Sequence, residues 1–153
     1  MEYLYSIVFF AVASAVTPGP NTIMAMLSGL NFGILKSLPL LFGLSIGFAV
    51  MLFFVGMGLG KMLTLFPQLS LFIKVAGATY IFYLALLIAN FNAADREFTH
   101  SEPLNFYKGF IFQWINAKAW VVCLAAVSVF STPGELYFVQ ITTLSVVFFI
   151  VGF

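Results

Sequence analysis

Two short stretches hold most of the residues able to do chemistry: Thr17-Pro18-Gly19-Pro20-Asn21 and Gln113-Trp114-Ile115-Asn116-Ala117-Lys118. Each interrupts an otherwise apolar run. Pro18 and Pro20 carry no amide hydrogen, so the carbonyls of Ser14 and Val16 lose the partners a continuous helix would give them. Each proline also pushes the residue before it, Thr17 or Gly19, toward extended backbone. Beyond the break, Asn21 or Thr22 is expected to cap a new half-helix, whose positive end would suit a carboxylate. The plainer alternative is a structural kink whose freed carbonyls neighbouring helices satisfy.

In the second stretch the ionisable residue is Lys118, near the middle of its apolar run. At the centre of a bilayer a lysine costs roughly 2.5–3.5 kcal/mol on insertion scales, and such a residue is read first as functional. The alternative is a shifted span that brings Lys118 to the interface. In a regular helix Gln113 and Asn116 share one face, and Trp114 and Lys118 another. Asn116 and Lys118 then stand about 200° apart at 100° per residue. They serve one pocket only where the helix is unwound, or else they face different neighbours.

The elements that must position these residues are membrane spans. Of 153 residues, 63% are hydrophobic and 7% charged, and the mean hydropathy is +1.12. A soluble domain carries roughly 25% charged residues. Between Lys36 and Lys61 lie 24 uncharged residues, between Lys74 and Asp95 lie 20, and 18 follow Glu135. A spanning helix needs about 20 apolar residues. Barrel strands would be runs of roughly 10 alternating residues instead. The expected fold is an all-α membrane protein, a polytopic helix bundle with five spans. They run from about Tyr3 to Phe32 (interrupted), Leu38 to Gly60, Leu69 to Asn90, Phe106 to Phe130, and Glu135 onward. A polar loop fills 91–105, and Ser131-Thr132-Pro133-Gly134 makes a turn. Residues 1–153 read as a single transmembrane domain, still apolar at Phe153 and so expected to be truncated before a sixth helix.

Several classes fall away. A formal net charge of +1 gives no basic footprint for nucleic acid. Glu2 without Lys or Arg is the wrong start for a signal peptide despite Ala13-Ser14-Ala15, so the first helix is read as retained. The lone Cys123 excludes an internal disulfide and reads as a small core residue. All five carboxylates, Glu2, Asp95, Glu97, Glu102 and Glu135, lie outside the spans or at their edges. No metal site, cofactor or enzyme chemistry is expected. Gly43 and Gly47 form a GxxxG pair, as do Gly56 and Gly60, and with Gly77 they are assigned to close helix packing. Tyr80 and Tyr83 are assigned to aromatic packing and His100 to the polar loop.

Pro18 and Ala117 stand 99 residues apart, and the starts of the second and fifth spans nearly as far. This implies two three-helix halves of opposite orientation, each opening with an interrupted helix, the pattern that marks a transporter's binding site. With the amino end outside, Lys36, Arg96 and Lys108 lie in the cytoplasm and Lys61 and Lys74 outside, three basic residues against two.

Thr17-Pro18-Gly19-Pro20-Asn21 ahead of a glycine-rich second span resembles the LysE/RhtB family of amino-acid exporters. Gly77-Ala78-Thr79-Tyr80, Lys108-Gly109-Phe110 and Asn116-Ala117-Lys118 resemble it too, and Phe112-Gln113-Trp114-Ile115 is similar to the cysteine and O-acetylserine branch. One departure is Ala117, where the family usually has proline, which puts unwinding at Lys118 in doubt. A related group of thiol–disulfide carriers needs paired cysteines and does not fit. The resemblance implies a six-span secondary transporter of the bacterial inner membrane, exporting small amino acids against a proton gradient. Expected partners are the amino acid, protons and membrane lipid, with a homo-oligomer left open. The residues expected to bind the substrate are Pro18, Gly19, Pro20, Asn21, Gln113, Asn116 and Lys118. Its carboxylate is expected near Asn21 and Lys118, and its ammonium on the carbonyls of Ser14 and Val16. A non-transporting membrane subunit and a passive channel remain as alternatives.

Overall fold

A computed structural model gives the architecture and describes residues 2–59 and 103–153, with positions 65, 68, 71, 75, 79 and 82 between them. Nearly all of the third expected span and of the polar loop lies outside the described residues, as do Gly60, Gly77, Tyr80, Tyr83 and His100. The described chain is all-helical, and with its apolar composition it is a helical membrane bundle.

Helices α1 (Glu2–Val16) and α2 (Pro20–Phe32) form one unit bent by 62°. Helix α3 (Ile34–Phe54) continues into a wider turn at Val55–Leu59, and Ile34–Gly58 is long and apolar enough to cross a membrane. Helices α4 (Phe106–Ile115) and α5 (Ala117–Phe130) form a second bent unit, at 70°, and each bent unit passes the same test as a single span. Helix α6 (Tyr137–Gly152) is apolar but shorter, with 16 residues. The hairpin between α2 and α3 turns on Gly33 alone, whose φ of 79° a side chain would resist. Ser28 and Ser37 close that hairpin with a hydroxyl hydrogen bond of 2.8 Å.

Contacts fix the directions. Leu40 and Gly43 meet Gly109 and Phe106, while Gly47 meets Phe110 and Gln113, so α3 and α4 run parallel. A Cβ on Gly43 would collide with the Phe106 carbonyl oxygen, and one on Gly47 would lie 2.9 Å from the Phe110 backbone. These glycines, with Gly109, let the two backbones touch. Helix α6 runs antiparallel to α3, pairing Phe42 with Phe153 at one end and Gly56 with Tyr137 at the other. Helix α1 runs antiparallel to α5, since the Tyr3 hydroxyl donates to the Phe130 carbonyl at 2.6 Å while Ser14 meets Lys118. The bundle therefore has one end bearing Lys36 and Lys108 and the other bearing Glu2 and Glu135. The two bent units cross it in opposite directions, as do α3 and α6.

The main core is packed toward the glutamate end, around Ile7, Met51, Leu52, Cys123, Ile141 and Leu144. The rings of Phe10 and Phe48 both pack against Phe148, a member of this cluster.

Candidate functional site

The two breaks meet at mid-bundle. In the first, α1 ends at Val16 and α2 starts at Pro20, with Gly19 as its N-cap in extended backbone and no side chain capping it. Asn21 and Thr22 are therefore not the cap that the sequence suggested. Proline suits the first helical position, where its missing N–H costs nothing and its fixed φ is already helical. The helix thus begins one residue before Asn21, whose side chain is left for other partners.

The second break falls at Asn116, whose extended φ/ψ of −80°/103° separates α4 from α5. It forms without proline. The Asn116 side chain accepts from the Lys118 amide at 3.1 Å and so caps α5. In an unbroken helix that amide would go to the Trp114 carbonyl, which instead accepts from the Trp120 indole at 2.9 Å. The bend brings Asn116 and Lys118 to one cavity, which a regular helix would forbid.

Across this junction the side chains are tied together. Asn21 donates to Gln113 Oε1 at 3.2 Å, and Asn116 donates to Asn21 Oδ1 at 2.9 Å. Gln113 donates in turn to the Leu44 carbonyl at 3.1 Å. The Lys118 ammonium donates to the Ser14 carbonyl at 2.9 Å and to the Thr17 carbonyl. Ser14 is the carbonyl that Pro18 frees. Its companion is Thr17 and not Val16, because the chain leaves the helix after Val16 and turns the Thr17 carbonyl toward Lys118. Gly19 makes room for this reach, since a Cβ there would lie 2.8 Å from Lys118 Cδ. No buried polar side-chain atom among the described residues lacks a partner.

A cavity of about 260 Å³ opens at this level. Gly19, Asn21, Asn116 and Lys118 line it, whereas Pro18, Pro20 and Gln113 do not. Pro18 is exposed, Pro20 is buried, and Gln113, fully buried, braces Asn21 from behind. Thr22, Ser45, Phe48 and Phe148 also line the cavity, and the last three were not singled out in the sequence. Ser45 was legible as a hydroxyl midway between Gly43 and Gly47, but the rings carried no signal that separates lining from core. From the breaks the lining extends along α2, α3 and α6 toward the lysine end, through Ala25, Leu41 and Gly152. The arrangement offers a small solute two carbonyls at the negative end of α1, an uncapped positive end on α2, and aromatic walls. Among the described residues no group of three or more His, Cys, Asp or Glu could hold a metal ion.

Comparison with known proteins gives this geometry its context. Residues 12–153 match the family described as LysE type translocator. A cysteine/O-acetylserine efflux protein of Salmonella choleraesuis (strain SC-B67) is 34% identical over 81% of this chain and 63% of its own length. One from Escherichia coli (strain K12) is 30% identical over 94% of this chain and 73% of its own. The chain thus spans just under two thirds of the length of the Salmonella relative and nearly three quarters of the Escherichia one. No solved structure matches it. With the family match covering nearly its whole length, the chain belongs to the LysE type translocators.

Proposed function

We propose that this chain exports small amino acids or their derivatives, of the cysteine and O-acetylserine kind, across the bacterial inner membrane. The observation that carries the reading is the cavity where both helix breaks meet, with Lys118 held on the Ser14 carbonyl that Pro18 frees and on the Thr17 carbonyl just beyond the helix. The carboxylate of the solute goes to the uncapped start of α2, within reach of Lys118, and its ammonium to the carbonyls at the end of α1. Asn21 and Asn116 hydrogen-bond the bound solute, and Gln113 keeps Asn21 in place. The names of the relatives support the substrate class.

The lysine end faces the cytoplasm in this reading, because Lys and Arg near short loops stay inside. The amino end is then periplasmic, and the cavity extends toward the side from which an exporter loads. Two inverted three-span halves, the first containing α1 to α3 and the second α4 to α6, rock against each other to expose the site alternately. Transport is coupled to protons moving inward.

A second reading, a membrane subunit that moves no solute, draws on the pairing of every buried polar side-chain atom among the described residues. Efflux of labelled O-acetylserine and cysteine from cells expressing the chain or its Lys118→Ala form separates the two. Export predicts efflux above empty-vector cells that falls to vector level in the variant, with both proteins equally present in the membrane. Equal efflux from wild type and variant would contradict the reading. Efflux unchanged by collapse of the proton gradient would mark a passive channel.

A further inference from the structure

We infer that Lys118 carries the coupling proton, by occupying in the empty protein the two carbonyls that the substrate's ammonium group takes when it binds. The inference rests on the export reading and assigns its coupling step to one atom. Lys118 Nζ sits on the Ser14 and Thr17 carbonyls at the negative end of half-helix α1. An ammonium group is a donor only, and both carbonyls here accept from one. Beside them lies the uncapped start of α2, lined by Gly19, Asn21 and Thr22. The cavity therefore sets a cation subsite next to an anion subsite, the pair of opposite charges an α-amino acid carries, and the cation subsite is filled by the protein's own amine.

Two ammonium groups cannot share those carbonyls. Lys118 donates to Ser14 on α1 and to Thr17 just beyond it, and shares its cavity with Asn21 and Thr22 on α2, Ser45 on α3, Asn116 at the break, and Phe148 and Gly152 on α6. None is a carboxylate, and among the described residues Lys118 is the only titratable group lining the cavity. Glu2 and Glu135 lie at one end of the bundle, Lys36 and Lys108 at the other. The solute's carboxylate lies at the start of α2 and offsets its own ammonium, and no described residue lining the cavity supplies an anion for a second cation on the same two carbonyls, so the entering ammonium expels the proton of Lys118. The step balances: a zwitterion enters from the cytoplasm, one Lys118 N–H bond breaks, and that proton passes to cytoplasmic water, leaving a neutral amine beside the bound solute. On the outside the solute leaves, and Lys118 takes a proton from periplasmic water and regains its carbonyls. Each cycle moves one amino acid out and one proton in.

The test is calorimetric titration of the purified full chain with O-acetylserine, in buffers of different ionisation heat at neutral and mildly acidic pH. One proton released per solute bound is expected, with affinity rising about tenfold per pH unit. Lys118→Gln should bind with no proton release and no pH dependence. Lys118→Arg, which keeps a cation that cannot deprotonate, should bind at least about tenfold more weakly and release none. Wild-type binding without proton release would overturn the inference and leave the export reading standing. Absence of wild-type binding would overturn both.

Discussion

Lys118 reaches its carbonyls only by crossing the α-carbon of Gly19, and this contact makes the first prediction. A methyl group at position 19 would press on Lys118 Cδ from 2.8 Å, and a flexible side chain yields where a backbone cannot. Gly19→Ala should therefore move Lys118 off Ser14 and Thr17, cutting O-acetylserine efflux at least tenfold while leaving the unfolding temperature in detergent nearly unchanged. A large fall in that temperature with unchanged efflux would show that Gly19 serves packing instead. Lys118 and the Ser14 carbonyl were legible in the sequence, because a lone cation in an apolar run and a proline four residues past a carbonyl both have fixed physical consequences. Gln113 was less so. A polar residue in an apolar run marks a need for partners, but its type does not say whether a cavity or a neighbouring backbone supplies them, and here Asn21 and the Leu44 carbonyl do.

At the scale of elements, both spans are broken by different means for the same end. Pro18 and Pro20 remove donors from the first, while the Asn116 side chain competes for a backbone amide in the second. Ala117 occupies the first position of α5, and the residue before it is already extended, so both requirements of a proline there are met. Ala117→Pro is expected to stabilise the protein by about 0.4–1 kcal/mol through a less flexible unfolded chain. Asn116→Ala should cost roughly 1 kcal/mol as a lost cap and weaken efflux by loosening Asn21. Chemical denaturation of both variants in detergent checks the pair, and a destabilising Ala117→Pro would mean that the break is not held as described. The doubt raised by the missing proline thus had a physical answer three atoms along the asparagine side chain. The composition alone could not reveal it, since asparagine also occurs as an ordinary helix residue. The half-helix start was misjudged for the same kind of reason, its cap expected at Asn21 or Thr22 and found at Gly19: two rules, side-chain capping and proline at the first turn, competed for nearby positions.

For the whole molecule, the sequence made the bundle, its breaks and their order legible through charge-free runs and prolines. It could not supply the directions in which faces meet. Those come from contacts such as Gly43 with Phe106 and Tyr3 with Phe130, which set the bent units antiparallel and pack the core at the glutamate end. The cavity is thereby left on the side of Lys36 and Lys108. That it receives the transported amino acid is the central claim. The most direct measurement is the alkylation rate of a cysteine placed in its wall by Thr22→Cys, with and without O-acetylserine. Cys123 is fully buried and stays silent, and Phe138→Cys, on an outer face between α1 and α6, is the control. Saturating O-acetylserine should slow labelling at position 22 several-fold and leave position 138 unchanged. Labelling at position 22 that is indifferent to the solute would contradict the assignment of this cavity as the transport site.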